Sequence, residues 1–378
     1  MSAFNPRPLL SSALVLLSAL AFTACAPLQR MSREPSRASA EYAAEVSPPL
    51  PESGFVYTAD ERGRSISAID LSSGRVKTIA TRIAPHNVQV SRDGRLLLVV
   101  GEAVGETKGV EGGRAEMGAV ERGERGERGE LLIFDTAAMS ANGAIQIKVG
   151  NDPAHVVIDA QSRRAYVTNS MDNNLSVVDL RQKKIVATVA TGRMPHGLRM
   201  SPGGREPYVA NADSNFVSVI DVARSHEVAR IPVGKAPVQV GFTPDGRRAY
   251  VSLRDENSVA VIDTAQRKKI ATVAVGRNPI QVFATPDGRY VYVANQGTEA
   301  NPDSTVSVID TADNSVVSTI ETGKGAHGVV VSDDGRRAFI ANIVGDTVSV
   351  IDTATRVVTG TIKVGKGPNG ITFRAANR

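Results

Sequence analysis

The sequence is short of the residues on which several familiar classes of protein depend. It holds one cysteine, Cys25. That excludes an internal disulfide framework, a cysteine-ligated metal cluster and a Cys-x-x-Cys-His haem attachment. Tryptophan is absent and aromatic residues make up 4% of the chain. The aromatics do not interleave with basic residues as a base-stacking surface requires, so nucleic acid is not an expected partner. A formal charge of +5 over 378 residues is a weak pull on polyanions. Long side chains at helical spacing are scarce. No nucleophile elbow and no unique pair of carboxylates stands out. The Gly-rich stretch 102–129 lacks the strand-to-helix context of a phosphate loop.

What the chain does have is a repeat of short apolar runs. Tyr166-Val167-Thr168-Asn169 is followed by a polar turn, then Leu175 to Asp179, then Ile185 to Val189, and the pattern restarts at Tyr208-Val209-Ala210-Asn211. These runs are rich in Val, Ile, Tyr and Thr and bounded by Gly, Pro, Asn or Asp, which predicts strands with no helix between them. A strand ending in an aspartate recurs at Asp70, Asp135, Asp179, Asp221, Asp263, Asp310 and Asp352, with gaps of 65, 44, 42, 42, 47 and 42. All but the first gap match a four-stranded propeller blade of about 40–45 residues. The expected fold is therefore all-β: a seven-bladed β-propeller of four-stranded antiparallel blades over 53–378.

The chain enters at a second strand (Phe55 to Ala59, then Ser65 to Asp70, then Val76 to Thr81) and ends on a lone first strand, Gly370 to Arg374. The C-terminal strand should complete the N-terminal blade and close the ring, which removes an open sheet edge. The long first gap holds a Gly/Glu/Arg-rich run, 102–130, read as a loop without order because it has almost no apolar side chains to offset ordering entropy.

The literal Tyr-Val-Thr-Asn at 166–169, its variants at 208–211, 292–295 and 339–342, and the Pro-Asp-Gly turns at 244–246 and 286–288 make the chain resemble the YVTN family of bacterial propeller repeats. Two blades depart from the pattern, with Gly101 and Leu253 in place of its asparagine. Relatives of that family include the haem d1 domain of cytochrome-type nitrite reductases and the propeller of nitrous-oxide reductase. The resemblance implies the fold, and it leaves the function open because propellers host many activities.

Four of five histidines precede a first strand: Pro85-His86, Ala154-His155, Pro195-His196 and Ala326-His327. Read as one repeat position, with Val238, Ile280 and Asn369 as its other occupants and Asn87 beside it, they should stand around the rim of the central funnel. Several neutral imidazoles aimed at one point can hold Cu, Zn or haem iron, and the d1-domain resemblance implies a haem d1-type cofactor as another occupant. Equally, they can be acceptable loop residues of a solvated funnel. On the other face, Arg163, Arg164, Arg247, Arg248, Arg336 and Arg337 form a basic ring, or are ordinary solvated hairpin residues. The aspartate closing each third strand is a turn-former. Asn169, Asn211, Asn295 and Asn342 are expected to close the following turn.

The N-terminus carries a basic residue, Arg7, an apolar run through Phe22, and Thr23-Ala24-Cys25. This pattern is that of a signal peptide over 1–24. It resembles a bacterial lipobox with Cys25 lipidated, followed by a flexible tether to residue 52. Ala26, and not aspartate, follows Cys25, so the family rule for sorting implies the outer membrane, facing the periplasm. The expectation is a monomeric, lipid-anchored binding module of the cell envelope whose ligand, metal or haem-type cofactor sits in the funnel. The alternatives are a cofactor-free scaffold for an envelope protein and a metal-dependent redox or hydrolytic enzyme.

Overall fold

The structure is a computed structural model that describes residues 53–104 and 129–376. The signal segment, Cys25, the tether and residues 105–128 of the insertion lie outside the described residues.

Twenty-eight strands among the described residues form seven four-stranded antiparallel sheets. Blade one comprises β4 (Ile83–Val90), β5 (Leu96–Ala103), β6 (Gly129–Asp135) and β7 (Ile145–Lys148). Blades two to six follow as β8–β11 (153–190), β12–β15 (195–232), β16–β19 (237–274), β20–β23 (279–321) and β24–β27 (326–363). The seventh is composite: β28 (Pro368–Ala375) pairs with β1 (Gly54–Asp60), which pairs with β2 (Ser65–Asp70) and then β3 (Val76–Ala80). The ring closes as the terminal runs predict. The first strands β4, β8 (Pro153–Ile158), β12 (Pro195–Met200), β16 (Pro237–Phe242), β20 (Pro279–Ala284), β24 (Ala326–Val331) and β28 each touch the next in a closed cycle, so they line the axis.

Both faces of each blade are buried, and the twofold strand period sends alternate residues to opposite neighbours. In the seam blade, Val56 and Ile69 pack with Phe339 and Val348 of blade six. Tyr57 and Ile66 pack with Val88, Leu97 and Val99 of blade one. Fully burying one such aliphatic or aromatic side chain contributes roughly 1.5–3 kcal/mol, so the ring is held by the sum of its seven interfaces.

The recurrent polar residues are frame. Each of the seven strand-ending aspartates accepts a backbone N–H two or three residues on, as Asp179 does from Gln182 at 2.7 Å and Asp352 from Thr355 at 2.9 Å. The asparagines do more than close a turn. Asn211 Nδ2 donates to Ser218 Oγ at 2.9 Å while its Oδ1 accepts the Gly192 N–H at 3.1 Å, latching the loop that enters its blade. A Cβ at Gly192 would lie 2.8 Å from Asn211 Cγ, and one at Gly276 would lie 2.4 Å from Asn295 Nδ2. At Gly150, Gly192, Gly276 and Gly323, each just after a fourth strand, the glycine is thus a consequence of the asparagine across from it.

The insertion is shorter than the sequence suggests. Glu102 and Gly129 are paired strand residues, as are Gly101 and Glu130. Glu130 is buried and its carboxylate meets Arg82 at 3.3 Å, which gives the strand ends a reason to stay ordered.

Candidate functional site

The strand pairing corrects the expected histidine position. Pro85, Pro195 and Ala326 face Gly101, Asn211 and Asn342 of their neighbouring strands, and His86, His196 and His327 each come one residue later. In blade two it is Pro153, and not Ala154, that faces Asn169. His155 therefore sits two residues after the pairing position. None of the four precedes its strand: each lies inside it, at a bulge where the register shifts. The reason is that the bulge needs no loop residues; it is made by strand residues, the first few in blades two, three and six and Pro85 to Asn87 in blade one.

Two stacked rings result. The upper holds His86, Ala154, His196, Val238, Ile280, His327 and Asn369; the lower holds Asn87, His155, Gly197, Gln239, Gln281, Gly328 and Gly370. The lower ring mixes long polar side chains with three glycines because the axis has room for few side chains. A Cβ on Gly197 would lie 2.2 Å from Gln239 Oε1, and one on Gly370 would lie 2.8 Å from Asn87 Cα. Ala154 is the small member of the upper ring between His86 and His196, and His155 rises beneath it.

Three imidazoles meet there. Ring centroids are 5.3 Å apart for His86 and His196, 5.0 Å for His155 and His196, and 5.9 Å for His86 and His155. One nitrogen from each lies within 4.8 Å of the others. His327 is placed apart from this group, with its Nδ1–H donating to the Asn369 carbonyl at 3.0 Å. Backbone positions are pinned by the frame: Thr168 Oγ1 donates to the His196 carbonyl at 2.6 Å and accepts the His155 N–H at 3.0 Å.

Hydrogen-bond partners assign the tautomers. His196 Nδ1–H donates to the Val238 carbonyl at 3.3 Å, leaving Nε2 as an acceptor. His86 Nε2–H donates to that atom at 3.3 Å, and His86 Nδ1 faces Glu61 Oε1 at 3.3 Å. Asn369 Nδ2 holds the other Glu61 oxygen at 2.7 Å. The Gln239 amide is fixed by Oε1 accepting the Val240 N–H at 3.0 Å, so its Nε2 faces His155 Nδ1 at 3.4 Å. His155 Nε2 is buried with no partner.

Electrostatics separate the four histidines. Burial pulls His86 down, but the Glu61 carboxylate outweighs it and holds the imidazolium above its ordinary range. Burial likewise works against Glu61, and His86 keeps it well below the usual carboxylate range. Burial with the nearby His196 and His86 pushes His155 well down, burial with His86 takes His196 to about 3, and burial with His86 takes His327 to about 4. The cluster is a neutral donor set with one paired cation at its edge.

His86 and His196 stand at the spacing a single ion needs, with His155 within 4.8 Å of them. A tetrahedral Zn²⁺ with nitrogens at about 2.05 Å spaces them roughly 3.3 Å apart, which is the separation of His86 and His196 Nε2. Outer nitrogens held by a carboxylate and a carbonyl are the usual support of metal-bound imidazoles. His155 would have to exchange its Nε2 proton for one on Nδ1 and turn the Gln239 amide over. A haem takes at most two axial ligands, on opposite faces, where three nitrogens converge on one point here, so the set fits it less well.

Of the other expected residues, Asn87 joins the lower ring, Oδ1 accepting the Val156 N–H at 3.3 Å. Val238 and Ile280 are buried and apolar. The basic face divides: Arg163, Arg247 and Arg336 are exposed, the last two 3.8 Å from their turn aspartates. Arg164, Arg248 and Arg337 are half-buried at strand starts, with Arg248 on the Thr311 carbonyl and Arg337 on Asp352. Sequence reasoning missed Glu61, which ring closure brings to His86, and the lower ring, whose signal is that only glycine or a polar residue stands two places after the proline (Ala326 in blade six).

The chain is a seven-bladed β-propeller. Two families match parts of it: the Cytochrome D1 heme domain over residues 249–365 and the 7-bladed beta-propeller lactonases over 132–302. The first match contains His327 and none of the three converging histidines; the second contains His155 and His196. No curated protein sequence matches significantly. Among solved structures it is similar to hydrazine synthase of Kuenenia stuttgartiensis (TM-score 0.65, 19% identity, 78% of this chain and 96% of that one). It is also similar to a functionally unknown protein from Desulfotomaculum acetoxidans DSM 771 (TM-score 0.69, 17% identity, 85% and 99%). A Bacteroides fragilis protein provisionally named a 6-phosphogluconolactonase is a further neighbour (TM-score 0.64, 16% identity, 86% and 99%). At these identities the likeness shows the fold alone.

Proposed function

We propose that the chain is a metal-binding module whose ion, Zn²⁺ or a copper ion, is held by His86, His155 and His196. The observation that carries this is the convergence of three imidazole nitrogens within 4.8 Å at the axis. His86 and His196 supply Nε2, Glu61 and the Val238 carbonyl orient their rings, and His155 completes the set from the lower ring. Three protein ligands leave a fourth position for water or a ligand, where the ion would supply Lewis-acid polarisation. Glu61 keeps a proton on His86 until an ion displaces it. The signal and lipobox pattern of residues 1–25 supports placing this module on the outer membrane, facing the periplasm, by a lipid on Cys25.

The test is titration of the metal-free protein with Zn²⁺ and with Cu²⁺. One equivalent should bind wild type, and the His86→Ala/His196→Ala variant should bind neither ion at that stoichiometry. Equal binding by both proteins refutes the reading.

The lactonase match over 132–302 favours a second reading in which the open position serves hydrolysis of a cyclic ester. Zinc-dependent turnover of a simple lactone, lost with the same two histidines, is its signature. Metal binding without turnover leaves the binding module without catalysis, and neither metal binding nor turnover leaves the cofactor-free scaffold.

A further inference from the structure

Below His155 the channel opens into a cavity of about 190 Å³ that the histidine site does not use. It lies among the middle and ends of the first strands, with His155 as its ceiling. Its floor and walls carry three arginines, Arg92, Arg199 and Arg374, against a single aspartate, Asp333.

Arg199 is the feature that asks for a ligand. Its guanidinium lies 5.1 Å over the Phe283 ring, across the blade whose matching residue is Gly241. A side chain there would be tight, since a Cβ on Gly241 comes 3.0 Å from the Val282 carbonyl. Among the described residues no carboxylate pairs with Arg199, and burial pulls it down to about 10. This half-buried guanidinium lines the cavity, and a guanidinium held against an aromatic ring can grip two oxygens of one anion.

Independent polar groups point the same way. Gln281 is 3% exposed and lines the cavity; its Oε1 accepts the Val329 N–H at 3.3 Å, and its Nε2 has no partner. Across the cavity, Arg374 stacks over Phe55 at 4.9 Å and its buried Nε also lacks a partner. Buried donors without acceptors are costly unless something satisfies them. Every such group in this cavity is a donor.

We propose that this cavity is a binding site for a small oxyanion, a carboxylate or an inorganic ion of like size, gripped by Arg199 and capped by the Gln281 amide. The volume equals that of about six waters, which fits an anion of a few heavy atoms. The site is chemically separate from the histidine cluster, although His155 borders both.

The experiment is calorimetric titration of the full chain with sodium acetate, malonate and phosphate, each against sodium chloride at matched ionic strength. At least one should bind saturably at one site; acetate or malonate would mark a carboxylate site and phosphate an inorganic one. Arg199→Gln should weaken binding at least tenfold and Gln281→Leu about threefold. His86→Ala/His196→Ala should bind the anion as wild type does, so that this result and the metal result can fail separately. Three titrations without saturation overturn the proposal, as does Arg199→Gln binding like wild type. Should Arg199→Gln fail to fold, the wild-type titrations and Gln281→Leu decide alone.

Discussion

Blades one to three and blades four and five are built on the same frame, yet they deliver different chemistry to the axis. On one side the upper ring carries His86 and His196 with His155 beneath them; on the other it carries Val238 and Ile280, buried and apolar. The strands behind both halves have the same pairing, the same bulge and the same turn aspartates. The propeller thus separates two demands. Residues that latch blades together recur in most blades because they serve the same contact in each, and residues at the axis can differ because the frame holds any of them in place.

The largest effect that breaks this contrast is on metal affinity. His86→Ala/His196→Ala should lower Zn²⁺ affinity more than 100-fold, or about 2.7 kcal/mol, while Val238→Ala/Ile280→Ala leaves it within twofold in a competition assay against a coloured chelator. Equal losses would mean that the apolar half matters to the site as much as the histidine half.

A second contrast concerns acid. His196 and His327 titrate at about 3 and about 4 in the folded chain, well below the ordinary value of 6.5, because burial and His86 oppose their charge. A depressed histidine contributes stability above the unfolded value and loses it as pH falls toward the folded one. Metal-free protein should therefore lose about 1 kcal/mol per pH unit for each such residue between pH 6 and pH 4. His196→Val, which copies blade four, should flatten that slope in denaturant titrations. An unchanged slope would mean that His196 is not held neutral.

Replacing the support of His155 sharpens the comparison further. Gln239→Glu offers a carboxylate to His155 Nδ1 and so frees Nε2 for an ion, an outer-shell change worth about tenfold. Zn²⁺ affinity should rise by that factor; a fall would show that His155 is not a ligand through Nε2.

The smallest change touches only the frame. Asp60 stands where the other latches have asparagine, accepting from Thr58 and Ser67 hydroxyls at 2.6 Å each, and burial raises its carboxyl to about 7 despite those bonds. A raised carboxyl contributes its stability below the unfolded value near 3.8 and loses it as pH rises through 7. Asp60→Asn should raise the melting temperature by about 1–2 °C at pH 8, near 1 kcal/mol for a domain of this size, and by nothing at pH 4. Zn²⁺ affinity should not move.

The frame was legible in the sequence because it is repeated. Seven strand-ending aspartates gave the blade number, and the lone terminal strand gave the closure. The axis was legible only in part. Ala154-His155 imitates Pro-His closely enough to hide a one-residue offset, which only the pairing of Pro153 with Asn169 reveals. Glu61 reaches His86 from the seam, 25 residues away in sequence and set by ring closure. Arg199 and Phe283 meet across an intervening blade, and no spacing within one repeat encodes such a contact.

The most direct test of the account is elemental analysis, with an absorption spectrum, of protein purified from its native envelope. The account predicts close to one zinc or copper per chain, no haem bands, and loss of the metal from His86→Ala/His196→Ala purified in the same way. A metal-free wild type that also fails to bind added Zn²⁺ or Cu²⁺ would contradict it.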